Sequence, residues 1–107
     1  MKINLKATQL ELTDALKDYI QLKMDMLEKY LGDVQVLNCD FEIEKIVSSQ
    51  NKGKIFRAEV NLEVPRELLR VDKTEADMYK AIDKVKDHLV LSIKKYKEKQ
   101  RDKKRRA

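Results

Sequence analysis

Lys80, Lys84, His88, Lys95 and Lys99 recur at steps of four, four, seven and four residues. At about 100° per residue they fall in one stripe of a helix, with Leu91 in its middle, while Asp83 and Asp87 lie on another flank. Lys23 and Lys29 form a smaller counterpart on an earlier segment. Lys23 sits at the edge of an apolar stripe, so its stem packs and its ammonium reaches outward. Lys29 lies further round, near Met26 and Tyr30. Rows of cations suit one task in particular: they neutralise the phosphates of a polyanion and release its counterions. A charge run is also what an ordinary solvated helix face looks like, so the row needs support from elsewhere in the chain.

Other chemistries find little material. His88 is the single histidine, and Cys39, the single cysteine, stands at an inward position of a strand pattern, so no nucleophile–base pair suggests itself. There is no glycine-rich phosphate loop and no metal-ligand spacing. Asp77, Asp83 and Asp87 read as a cap and surface charges, and Tyr79 as packing at the core edge ahead of base stacking. The reading is of a binding protein rather than an enzyme, with no cofactor, no metal and no small-molecule substrate expected.

The elements that position these residues follow from periodicity. Lys2–Ala7 alternates, with Ile3, Leu5 and Ala7 inward, which predicts a strand. Thr13 offers an N-cap with Asp14 in the first turn; Leu16, Ile20, Met24, Leu27 and Leu31 then mark the buried face of one helix that stops at Gly32. Val36–Lys45 alternates with Leu37, Cys39, Phe41 and Ile43 inward, and SSQNKG at 48–53 reads as a hairpin loop. Lys54–Val64 turns Phe56, Ala58, Val60, Leu62 and Val64 inward, and a short strand around Leu68–Asp72 follows Pro65. Thr74-x-x-Asp77 resembles a capping box, and Met78, Ile82, Val85, Leu89, Ile93 and Tyr96 form the core stripe of a long second helix ending near Arg101. The order β-α-β-β-β-α predicts an α+β domain, a four-stranded sheet with two helices packed on one face.

That architecture sorts the charge. The outward sheet face carries Asp40, Glu42, Glu44, Glu59 and Glu63 among a few cations, so a polyanion must approach the helices, on a strip formed by both cationic sets. The net charge of +5 is concentrated at the end: residues 94–107 hold nine Lys/Arg and two acids, leaving 15 basic and 17 acidic residues before them. Beyond Tyr96 nothing covers a core, so the last turns project into solvent, where like charges repel until phosphates neutralise them. Residues 1–99 thus read as a binding domain and 100–107 as a basic tail. One cysteine fits a reducing, cytoplasmic compartment, and no apolar run approaches a membrane span.

Two segments carry a resemblance. DMYKAID (77–83), preceded by TEA and followed by a helix ending IKKYKEK (93–99), resembles the signature of bacterial ribosome hibernation promoting factors and ribosome-associated inhibitor A. LELTDALKDYIQLKMDMLEKYL (10–31) is similar to the first helix of that family, so the likeness covers about residues 1–99. It implies a β-α-β-β-β-α fold and binding to small-subunit rRNA between head and body, overlapping mRNA and the A- and P-site tRNA positions. Inhibition by occlusion follows, in a ribosome-associated protein that is monomeric off the ribosome. The family's RNA-facing basic positions fall on Lys23, Lys29 and Lys95, whereas Met26, His88 and Leu91 stand where lysine or arginine is common; Lys80 and Lys84 can compensate. The chain resembles the family's short forms, though its end is basic where the inhibitor-A type is acidic.

Two other classes fit parts of the pattern. A general double-stranded RNA-binding domain also backs strands with two helices, but Thr74–Met78 is acidic where such domains open their last helix with lysines. A protein-interaction module would use Leu22, Val90 and Leu91 as a partner surface.

Overall fold

A computed structural model describes residues 1–46, 53 and 55–106. Its strands are β1 (Asn4–Thr8), β2 (Asn38–Lys45), β3 (Phe56–Val64) and β4 (Glu67–Glu75), in the sheet order β1-β2-β3-β4. The helices are α1 (Asp14–Asp25), α2 (Glu28–Leu31) and α3 (Met78–Arg106). β1 runs parallel to β2 (Leu5 opposite Phe41), so the chain returns through α1 and α2, and the other pairs are antiparallel. The predicted α+β order and its helix-on-sheet layering are present. Ile20, Met24 and Leu27 meet Phe41, Ile43, Val60 and Leu62 from the sheet and Ile82, Leu89 and Ile93 from α3, all of them buried.

Several boundaries differ from the sequence reading. The first helix is broken: Leu27 N–H bonds the Met24 carbonyl, a tighter turn at Met26–Leu27 that lets Leu27 bury completely before α2 restarts. Gly32 then ends α2 with φ 59, where a β-carbon would stand 3.3 Å from Lys97 Nζ. Leu37 is not inward but 50% exposed, because β2 starts at Asn38 and Val34 and Val36 pack on the core in its place. β4 is nine residues long and absorbs Thr74 and Glu75, so Thr74 caps nothing. Asp77 is the cap, its Oδ1 accepting from Tyr79 N–H at 2.8 Å. α3 continues to Arg106 rather than ending near Arg101. Val90 packs against the core, whereas Leu22 and Leu91 are exposed. Most of the predicted hairpin loop at 48–53 lies outside the described residues.

The β3–β4 connection is a two-residue turn, since Val64 pairs with Glu67 across Pro65 and Arg66. Proline presets the first position, and Arg66 takes φ 72 at the second. The turn is tied to the far end of the core by Tyr96, whose hydroxyl donates to the Pro65 carbonyl at 2.8 Å. No described helix is long and apolar enough to cross a membrane.

Candidate nucleic-acid interface

The open sheet face consumes its own cations. Arg57 reaches Glu59 at 3.1 Å, Asp72 at 3.2 Å and Glu44 at 3.6 Å, and Arg70 Nη2 contacts Glu59 at 2.7 Å. Lys6 lies 4.0 Å from Glu42. What remains on that face is acidic or uncharged, Leu68 among it, so its excess of carboxylates repels phosphate. On the helix layer, by contrast, Lys29, Lys80, Lys94, Lys95 and Lys97 are exposed and stand in none of the ion pairs among the described residues.

There the structure divides the seven candidate residues instead of joining them in one strip. Lys84 and Lys99 lean to the β4 side of α3, with Lys84 Nζ 2.9 Å from Glu75 and Lys99 Nζ 3.9 Å from Glu67. His88 lies on the same side, around a shallow hollow with Lys73, Lys84, Asp87 and Leu91. Lys95 continues that row toward Lys99, Lys103 and Arg106. Lys80 opens it as an exposed residue of the first turn.

Lys23 and Lys29 are on the opposite flank, facing the α1–α3 and α2–α3 junctions. Lys23 is half-buried and reaches Asp83 at 3.2 Å, with its ammonium 5.3 Å from the centre of the Tyr19 ring. Tyr19 donates its hydroxyl to Asp83 at 2.5 Å and packs edge-on to Tyr79, ring centres 4.8 Å apart. The hydrogen bond to Asp83, then burial, pushes the Tyr19 hydroxyl up to about 12. Lys29 sits 5.1 Å from the Tyr30 ring centre.

Sequence reasoning missed the partners of Lys29. Lys94, Lys97 and Arg101 occupy this same flank of α3 and line a hollow with Lys29, Tyr30 and Glu98. Their spacing of three and four was readable as a second stripe, shorter than the Lys80–Lys99 row beside it.

Neither residue suited to covalent chemistry is placed for it. Cys39 is buried, and burial, then the charge of Asp40, raises its thiol to about 11. His88 stands exposed on α3, on a different element from Cys39. Among the described residues no group of three or more His, Cys, Asp or Glu could hold a metal ion.

The sequence pattern described as "Sigma 54 modulation protein / S30EA ribosomal protein" matches residues 3–101. The chain belongs to this family. It is 34% identical over 100 residues to the ribosome hibernation promoting factor of Azotobacter vinelandii, covering 94% of this chain and 86% of that one. It is 32% identical over 107 residues to the ribosome hibernation promotion factor of Lactococcus lactis subsp. cremoris, of which it spans 55%. Against the Deinococcus radiodurans ribosome hibernation promotion factor it spans 47% of the relative, so the chain is about half the length of some family members. Among solved structures, the Thermus thermophilus Protein Y N-terminal domain superposes with a TM-score of 0.75 at 32% identity, over 90% of this chain and 99% of that one. The family thus carries the β-α-β-β-β-α fold described above.

Proposed function

We propose that this chain is a ribosome hibernation factor that binds small-subunit rRNA between head and body and occludes the mRNA and the A- and P-site tRNA positions. In this reading residues 1–99 are the ribosome-binding domain, 100–107 supply further phosphate contacts, and the protein is a monomer off the ribosome. The observation that carries it is the partition of charge. The sheet face pairs its arginines internally, while Lys29, Lys80, Lys94, Lys95 and Lys97 stand exposed on the helix layer. The family's relatives named for ribosome hibernation support the choice of polyanion.

Lys84 and Lys99 are held by carboxylates of β4, so phosphate must displace or share those partners, and their net gain is smaller than that of exposed cations. The testing experiment titrates purified small subunits with the protein and follows bound initiator tRNA. Saturable one-to-one binding with loss of P-site tRNA is the expected result. Unchanged tRNA occupancy at saturating protein would remove the occlusion mechanism.

A further inference from the structure

The hollow between α2 and α3 is organised by one residue. Lys29 Nζ and Lys94 Nζ stand 5.1 and 5.4 Å from the centre of the Tyr30 ring, and Lys97 Nζ donates to the Tyr30 carbonyl oxygen at 3.1 Å. Tyr30 therefore gathers three ammonium groups, two through the quadrupole of its neutral ring, whose faces are electron-rich, and one through a carbonyl at the end of α2. Arg101 lines the same hollow, and Glu98 is its one acid, leaving three positive charges in excess. None of the ion pairs among the described residues involves Lys29, Lys94, Lys97 or Arg101. Like charges gathered around one hollow repel one another, and an anion that bridges them offsets that repulsion. The excess is enough to neutralise two phosphodiesters.

We propose that this hollow is a binding site for two neighbouring phosphates, with Tyr30 as the residue that positions its lysines. The site deepens the ribosomal reading and rests on it where the phosphates are those of rRNA. A free polyphosphate offers the same pair of anions, so the two sources are separated by experiment. Tyr30 acts through the lysines: its ring pre-orders Lys29 and Lys94, which otherwise lose side-chain entropy when phosphate arrives.

The test reads lysine reactivity by brief amine labelling and mass spectrometry, with exposed Lys45 on β2 as the internal reference. Tripolyphosphate is the probe for the free protein, and isolated small subunits are the probe for the RNA source. Protection of Lys29, Lys94 and Lys97 by several-fold over Lys45 is expected with both probes. Tyr30→Phe keeps the ring and should retain protection. Tyr30→Leu keeps apolar bulk and the backbone carbonyl that holds Lys97 but not the ring's charge distribution, so it should lose most of the protection of Lys29 and Lys94, with the far-ultraviolet circular dichroism of the wild type. If Tyr30→Leu fails to fold, the Lys94→Gln/Lys97→Gln pair still tests the site: protection of Lys29 should fall, and protection equal to that of the wild type would overturn it. Protection by tripolyphosphate alone would keep the phosphate site and remove rRNA as its source. Small subunits that bind the protein yet leave all three lysines reactive, with tripolyphosphate also inert, would overturn the site while sparing the ribosomal reading. Equal protection in Tyr30→Leu and wild type would overturn the role of Tyr30.

Discussion

At the scale of single residues, the cations of the helix layer differ in how free they are, and that difference sets what their substitution does. Lys29 and Lys95 are exposed, so Lys29→Glu and Lys95→Glu should each weaken small-subunit binding while moving stability by no more than about 0.5 kcal/mol. Lys23→Glu is a different experiment. It places a second carboxylate beside Asp83, at the junction where Tyr19 and Tyr79 pack, and should destabilise by about 1 kcal/mol as well as weaken binding. Urea midpoints beside binding isotherms separate the two outcomes. A Lys23→Glu variant as stable as Lys29→Glu would show that the Asp83 pair contributes nothing in solution. The Tyr19 hydroxyl gives a direct reading of the same junction. Its value is raised to about 12, so the fold favours the neutral hydroxyl. That stabilisation is complete below the unfolded value of about 10 and is lost as pH rises from there through 12. The difference in phenolate absorbance between wild type and Tyr19→Phe should titrate with a midpoint near 12. A midpoint at the value of a free tyrosine would mean that the bond to Asp83 is absent.

At the scale of elements, the β4–α3 junction shows how an N-terminal signal can be misassigned. Thr74 and Asp77 both suit an N-cap, and the capping-box spacing favours Thr74. The ladder with β3 continues through Glu75, because Arg57 and Phe56 have partners in Thr74 and Glu75, and this strand pairing overrides the local helix signal. Asp77→Ala should therefore cost about 1 kcal/mol as a lost cap. Thr74→Ala, at an exposed strand position, should cost distinctly less, about 0.5 kcal/mol or under. Thermal midpoints of the two variants decide the assignment, and a larger loss for Thr74→Ala would reverse it. The inward sets Cys39/Phe41/Ile43 and Ala58/Val60/Leu62/Val64 were legible because a strand with one buried face must alternate. The core stripes of both helical regions were legible for the corresponding reason. The break at Met26–Leu27 was not, because Leu27 and Leu31 keep helical spacing across it and only the tertiary demand to bury Leu27 reveals the tighter turn. Of the candidate interface, the cation types and their helices were readable. Which flank of α3 faced α2 was not, since a helix pattern identifies its buried stripe without saying which neighbour lies on either side.

At the scale of the whole molecule, α3 sets the shape. Its 29 residues span about 43 Å at 1.5 Å per residue, against overall extents of 52 × 28 × 17 Å. The last buried residue is Tyr96, and the turns beyond it carry Lys103, Lys104, Arg105 and Arg106 at the end where the helix dipole favours cations. The dipole thus favours these cations and offsets part of their mutual repulsion in turns that have no core beneath them. The two ends of the tail should act differently. Deleting Gln100–Ala107 removes five basic residues and one acid, among them Arg101 from the α2–α3 hollow. Deleting only Asp102–Ala107 spares the hollow and removes four basic residues and the same acid. Neither deletion touches a buried side chain, so both proteins should keep a thermal midpoint close to that of the full chain. If the tail lies against rRNA, both should bind more weakly at low salt. The log of affinity should then fall less steeply with log salt, by about 0.7–0.9 for each phosphate that the tail no longer neutralises. The longer deletion should show the additional weakening that belongs to Arg101. The rRNA footprint that the proposed function calls for should be the same in both, because Lys23, Lys29, Lys84 and Lys95 remain. A salt slope equal to that of the full chain in the shorter deletion would show that residues 102–107 are solvated on the ribosome. A slope changed only by the longer one would place the tail's whole contribution at Arg101, where the helix still borders the body of the domain.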